Sequence, residues 1–495
     1  MKLSTMIENL GFENSPMAGS KQDVVVTGLA LDSRLVEVGN LFAALSGEIS
    51  DGRDYIPDAL KAGANSILLP VGSNIDEAMF AEAVVLSHDN PRLALAQMAG
   101  RFYSPQPKYL AAITGTNGKT SVASFVKQLW LSLGYEPASM GTMGVESSKI
   151  NKAGGLTTPD TISFHRNLQE LAKAGVDHVV FEASSHGLSQ YRLDGVEISV
   201  AGFTNLSREH LDYHGDMERY FAAKSRLFVE LLAKNGVAVI NVDCKWGRKL
   251  ALLCEANNKR LISIGAGQEA NVSLLKCDEQ GDGYACQVSY LNKTYDFKLP
   301  LIGRFQLDNA LMAAGMVLAS GADATIVFAT IEKLTGVDGR MELAGVSLNG
   351  ARVLVDYAHT PDGLDRALTS LQSYRDNGRL FVVFGCGGNR DKGKRLIMGK
   401  IAGRLADEVF VTDDNPRNED PKEIRAEILS GVPTAHEFAD RAKAIEAAVA
   451  QLEGGDILLV TGKGHEQGQI IGDKVLPFSD LKTVKAAVAN LGASK

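Results

Sequence analysis

From residue 113 the chain reads Ile-Thr-Gly-Thr-Asn-Gly-Lys-Thr, placing Gly115, Thr116, Asn117, Gly118, Lys119 and Thr120 between an apolar run (110–114) and a segment of helical period. A glycine-rich turn between strand and helix aims several backbone N–H groups and a helix N-terminus at one point. The lysine adds a charge there, and the threonine hydroxyl beside it can ligate Mg²⁺. That is chemistry for phosphate, and it predicts ATP or another nucleotide. The spacing departs from G-x-x-x-x-G-K-[ST], because Ile113 stands where the first glycine belongs, and follows a shorter form, T-G-T-N-G-K-T. The loop alone leaves open whether the γ-phosphate goes to water, a hydroxyl, a carboxylate or mechanical work.

Two further groups carry chemistry. Glu182 ends the run "VVFE", and His210, Asp212, His214 and Lys224 follow the run "VAGFT". Strand ends on one edge of a parallel sheet converge on a ligand crevice. A carboxylate and an imidazole gathered there can hold divalent ions, which neutralise a transferring phosphate better than a lone lysine. The other group is "VTDDNPRNEDP" (411–421), which sets Arg417 among Asp413, Asp414, Glu419 and Asp420. Sequence alone leaves it open between a reader of a charged ligand and an arginine satisfied in an ordinary turn. Glu419 and Asp420 read as caps of a helix beginning near Pro421.

The elements that must position these residues follow from composition and period. With 495 residues, 45% apolar and 22% charged, 50 Gly and 14 Pro, the chain has the profile of an α/β protein of about three domains. Short apolar runs followed by helical segments recur as βα units. Strands are expected at 65–70, 82–87, 110–114, 179–182, 200–204 and 237–241, and a helix at 90–103. "SPQPKY" reads as a linker near residue 107, and 262–300 alternates like an antiparallel insertion. The βα rhythm restarts after 335–342, giving domains of 1–107, 108–337 and 338–495. "GCGG" (385–388) lacks dinucleotide spacing and reads as a βα turn.

A net charge of −8 argues against nucleic acid as partner. Five cysteines with no C-x-x-C pair suggest reduced thiols rather than a disulfide framework or zinc cage. With no signal-peptide pattern and no run of about 18 apolar residues, the expectation is a soluble cytoplasmic protein without membrane insertion.

Taken in order, "TGTNGKT", "EASSHGLSQYR", "TNLSREHLDYHGD", "GRFQLDNALMA", "GRME", "DYAHTPD", "DDNPR" and "GKGHE" resemble the Mur ligases of peptidoglycan synthesis over nearly the whole chain. The resemblance implies a central P-loop ATPase-like parallel sheet, a C-terminal Rossmann-like domain and a smaller N-terminal α/β domain that binds a UDP-sugar. It implies an ATP-dependent amide ligase that makes an acyl phosphate and lets an amine attack it. The work would serve cell-wall growth, shape and division, with a monomer acting on small-molecule substrates.

By the same resemblance Gly115 to Ser121 hold the ATP phosphates, met from other segments by Asn309, Arg340 and Asp356. Thr120 and Glu182 ligate Mg²⁺, His210 helps hold a second ion, and Lys224 carries a CO₂-derived carbamate. Lys119, Glu182, His210 and Lys224 form the catalytic set. Leu31, Ser33, Glu48, Ile49 and Ser50 match the uridine-binding segments. Leu156, Thr157, Thr158, Ser184, Gln190 and Arg192 match contacts to the muramoyl peptide, although relatives with Asn at the position of Leu156 leave only a backbone contact for it. Arg390, Asp414, Asn415, Pro416, Arg417, Gly462 and Glu466 match the site for the incoming amine, and "DNPR" marks the members that add meso-diaminopimelate. Two other readings are a folylpolyglutamate synthase, disfavoured by the muramoyl-peptide segments, and a nucleotide-operated scaffold, disfavoured by the clustered Glu182, His210 and Lys224.

Overall fold

A computed structural model describes residues 1–12, 24–47, 50–73, 83–375 and 377–493. Three sheets succeed one another along the chain, each built from its own stretch of sequence. In the first, the strands Leu29–Ala30, Leu41–Ala43, Ser66–Pro70 and Val84–His88 pair in parallel and in chain order. The second has eleven strands. Its centre runs, in spatial order, Arg260–Gly265, Leu232–Asn241, Ile198–Phe203, Tyr109–Thr114, His178–Glu182 and Pro137–Gly141, all parallel. The irregular stretch read from sequence extends one edge. Val272–Gln280 pairs parallel with the strand before it, then antiparallel with Gly283–Tyr290, which in turn pairs with Lys293–Leu299.

The third sheet has an antiparallel edge strand, Glu342–Val346, beside five parallel strands. These run Arg352–Asp356, Ile457–Thr461, Leu380–Phe384, Glu408–Val411 and His436–Glu437 in spatial order. A separate antiparallel hairpin, Gly468–Ile471 with Lys474–Pro477, follows it. The fold is therefore α/β with parallel sheets at its centre.

Covered on both faces, a parallel strand reads as an unbroken apolar run rather than an alternation, as "LAAIT" and "LFVVF" do. The strand Leu380–Phe384 is buried at every position. Helix Lys119–Ser132 covers the central sheet with Val122, Phe125, Val126, Leu129 and Trp130. Helix Arg304–Leu318 packs against it, buried at nearly every position. Each such side chain removed from water contributes about 1.5–3 kcal/mol, so the floor under the phosphate loop is stiff.

Register decides where the chemistry sits. Ile113 pairs with Glu182 and Thr114 with Phe203, so the phosphate loop, Glu182 and the segment from Thr204 leave the central sheet at one edge. In the third sheet Asp356 pairs with Thr461 and Phe384 with Val411. Residues 357–359, 385–390, 412–417 and 462–466 accordingly leave their sheet at one edge too.

Candidate active site

The two edges face each other across a cavity of about 590 Å³. Thr116 to Ser121, Glu182 and His210 line it from the central sheet. Asn309 joins them from the helix packed over that sheet, and Arg340, Asp356, Arg390, Asp414, Asn415, Arg417, Gly462 and Glu466 come from the C-terminal part. Leu156, Thr157, Thr158, Ser184, Gln190 and Arg192 share the same cavity. Gly115, Lys224 and Pro416 are not among its lining residues, nor are Leu31, Ser33 and Ser50 of the N-terminal part, while Glu48 and Ile49 fall outside the described residues.

The phosphate loop needs its glycines. Gly118 precedes the helix with φ +90°, and a Cβ there would stand 2.3 Å from Asn309 Oδ1, so no other residue fits without moving Asn309. Lys119 Nζ donates to the carbonyls of Gly115 (3.0 Å) and Thr116 (2.9 Å), closing the loop on itself. Beneath the loop, the Lys224 amine donates to the Gly115 carbonyl at 2.9 Å and lies 4.8 Å from the centre of the Tyr220 ring. Lys224 is only 1% exposed. Burial, helped by the charge of nearby Lys119, pushes its amine well below the usual lysine range.

Glu182 is buried and held from two sides. Its carboxylate accepts from the Thr142 backbone N–H at 2.8 Å and from the Thr120 hydroxyl at 3.2 Å. His210 follows at φ +54°, a strained left-handed conformation of the kind found at functional sites. Burial pulls its imidazole down to about 4, against the opposing charge of Glu209, so the ring is neutral near pH 7 and has a lone pair to offer. No group of three or more His, Cys, Asp or Glu side chains is arranged as a metal cage among the described residues. The donor set still suits Mg²⁺, which takes one or two protein oxygens and keeps phosphate and water as its other ligands.

Three residues without a role in the sequence reading, Glu209, His359 and Asp362, join the phosphate side to the C-terminal side. Glu209 lies 3.7 Å from His210 and accepts from His359 across the cavity at 3.1 Å. Asn117 of the phosphate loop donates to Asp362 at 3.0 Å, and Arg340 donates to the Thr120 hydroxyl at 3.1 Å while its guanidinium covers the Tyr357 ring. Asp356 accepts from the backbone of Met341 (2.8 Å) and Ala358 (2.7 Å), which fixes the turn carrying Tyr357 and His359. The signal for Glu209 was its place beside His210 in "REHLDYHGD". Its partner is 150 residues further on, beyond any local pattern.

At the far end of the cavity, Arg417 stands at φ +53° with its backbone braced by the 468–477 hairpin. Its N–H donates to the Ile470 carbonyl at 3.1 Å and its carbonyl accepts from Gly472 at 2.8 Å. Its guanidinium lies against the "GCGG" turn, donating to the Gly388 carbonyl at 2.8 Å, and a Cβ on Gly387 would come within 2.8 Å of Arg417 Nη1. That turn thus makes room for the arginine. Of the two expected caps, Asp420 accepts from Lys422 N–H at the helix start. Glu419 differs, pairing with the fully buried Arg395 at 2.9 Å and so tying down the loop that carries Arg390. The acids around Arg417 are largely engaged elsewhere: Asp413 pairs with Arg425 and Asp414 faces Lys463.

Comparison with known proteins covers most of the chain. Residues 25–115 match the Mur ligase family catalytic domain, 113–317 the Mur ligase middle domain, and 339–464 the Mur ligase glutamate ligase domain. The chain is 48% identical over 493 residues to a UDP-N-acetylmuramoyl-L-alanyl-D-glutamate–2,6-diaminopimelate ligase of Bradyrhizobium diazoefficiens, covering 99% of each chain. It is 48% identical over 487 residues to the enzyme of that name from Zymomonas mobilis, covering 97% of this chain and 99% of the other. A solved structure of a ligase with that name superposes with a TM-score of 0.67 at 32% identity, over 94% of this chain and 95% of the other.

Proposed function

The chain belongs to the Mur ligase family, and from that premise we propose how its residues divide the work of one amide-forming reaction. The protein is an ATP-dependent ligase that joins meso-2,6-diaminopimelate to UDP-N-acetylmuramoyl-L-alanyl-D-glutamate in peptidoglycan synthesis. The observation that carries the residue assignment is the single cavity in which the phosphate loop, the muramoyl-peptide residues and the Arg390–Arg417 group meet.

In this reading Gly115 to Ser121, Lys119 among them, hold the ATP phosphates, while Asn309, Arg340 and Asp356 fix the rest of the nucleotide. Arg192, which donates to the Thr158 carbonyl at 2.9 Å, orients the substrate carboxylate toward the γ-phosphate. The carboxylate oxygen takes the phosphoryl group, leaving ADP. The incoming amine then attacks the acyl carbon, the carbon–oxygen bond breaks, phosphate departs and the amine loses a proton. Arg417 and Arg390 receive the distal carboxylate of diaminopimelate, and Glu466 accepts from its ammonium.

Thr120 and Glu182 would hold one Mg²⁺ and His210 a second, and bound there the metal would neutralise the charge gathering on the transferred phosphoryl group. The buried Lys224 amine, directly beneath the loop, takes up CO₂ as a carbamate and so becomes an anion. Leu31, Ser33, Glu48, Ile49 and Ser50 bind the uridine end. The three working units are 1–107, 108–337 and 338–495. The protein acts in the cytoplasm, where ATP is available, and as a monomer.

The test is an assay with ATP, Mg²⁺ and the UDP-muramoyl dipeptide, supplying diaminopimelate, lysine or glutamate in turn and weighing the product. Diaminopimelate should give a product heavier by one residue together with one phosphate released. A product with lysine or glutamate but none with diaminopimelate would overturn the assignment of the Arg417 end.

A further inference from the structure

Behind the far end of the cavity lies a fully buried cation that does not line it. Lys463 has no exposed surface, yet its amine donates to Glu466 Oε2 at 2.8 Å and to Asn415 Oδ1 at 3.0 Å, with Asp414 Oδ1 at 3.5 Å. All three partners line the cavity and Lys463 does not. The same Asn415 oxygen accepts from Ile470 N–H at 2.9 Å, and Asn415 Nδ2 donates to Glu466 at 2.9 Å. Gln469 donates to the Asp414 carbonyl at 2.7 Å. One ammonium therefore fastens the 414–417 loop to the 462–466 turn, and the hairpin that braces Arg417 is fastened to that loop.

Building a lysine without exposed surface is expensive unless its charge is needed, because its desolvation must be offset by good partners. We propose that Lys463 is a positioning residue that sets the charge of the amine subsite. It holds Asn415 and Glu466 in register with Arg417, and it offsets two carboxylates that would otherwise both face the incoming amino acid. With Lys463 present, the subsite suits a zwitterionic end bearing one ammonium and one carboxylate. Without it, Asp414 and Glu466 together suit a net-positive diamino acid such as lysine. The inference rests on the reading of this end as the amine subsite.

The experiment compares the full-length wild type with Lys463→Gln and Lys463→Arg, measuring KM for each substrate and kcat/KM with diaminopimelate and with lysine. Lys463→Gln should raise KM for diaminopimelate about tenfold and leave KM for ATP and the UDP-muramoyl dipeptide unmoved. It should also raise the lysine-to-diaminopimelate ratio of kcat/KM by about tenfold, whereas Lys463→Arg, which keeps the charge, should retain wild-type discrimination. An unchanged ratio in Lys463→Gln, or an equal rise in all three KM values, would reduce Lys463 to a packing role. Should Lys463→Gln fail to fold, Lys463→Arg decides, since lost discrimination with the charge intact would overturn the proposal. A wild type that makes no product from diaminopimelate would instead defeat the subsite reading itself.

Discussion

An amine combines with CO₂ only when it is unprotonated, and burial makes the lone pair of Lys224 easier to free. Its partners are neutral, the Gly115 carbonyl and the Thr114 hydroxyl, so nothing in direct contact opposes the downward push of burial. Lys119 adds a second cation nearby and works in the same direction. Carbamate formation would turn this repulsion into an attraction, giving the phosphate loop an anion able to orient a divalent ion. With ¹³C-labelled bicarbonate, the wild type should show a carbamate resonance that is absent from Lys224→Met, and activity should fall in CO₂-stripped buffer and return with bicarbonate. Full activity in stripped buffer without the resonance would rule the modification out.

Among the elements, the loop from Asp414 to Arg417 is instructive because little of its geometry is its own. Its left-handed arginine costs about 1–2 kcal/mol in backbone strain, and the hairpin Gly468–Pro477 holds it there through paired backbone hydrogen bonds. Truncating Arg417 to Ala removes the guanidinium and leaves that brace in place. Diaminopimelate binding should therefore weaken by about 1.5–3 kcal/mol, the scale of a charged hydrogen bond, with ATP affinity nearly unchanged. Calorimetric titration of both ligands measures this, and wild-type diaminopimelate affinity in the variant would remove Arg417 from the subsite. The contrast with the phosphate loop shows what sequence carries. Gly115 to Thr120 act through their own backbone between adjacent elements, so the motif was legible as chemistry. So was the Asp420 cap, which binds a neighbour two residues away. Lys463, Glu209 and the brace on Arg417 depend on partners about 50 to 150 residues distant, and Gly387 on a close approach by another loop. The spacing of residues along the chain does not encode those approaches.

For the molecule as a whole, the question is how the C-terminal part stays over the phosphate loop while an acyl phosphate exists. Among the described residues, the polar contacts across the cavity are individually modest. They include Asn117 with Asp362 at 3.0 Å, Glu209 with His359 at 3.1 Å, Arg208 with Asp391 at 3.2 Å, and Arg340 with Thr120 at 3.1 Å. Partly exposed pairs of this kind contribute about 0.2–1 kcal/mol each. Contacts of this size hold the lips of the cavity together and still allow opening for substrate entry and product release. Closure matters chemically because water reaching the acyl phosphate would hydrolyse it, consuming ATP without making an amide. Asp362 faces Asn117 of the loop and belongs to none of the three substrate-binding sets, so Asp362→Ala weakens closure while leaving those groups in place. A loss of about 1 kcal/mol shifts the closed-to-open ratio roughly fivefold. The variant should therefore turn over more slowly and release more than one phosphate per amide formed. Parallel measurement of phosphate and tripeptide product decides it: a ratio that stays at the wild-type value would show that the Asn117–Asp362 bridge does not protect the intermediate.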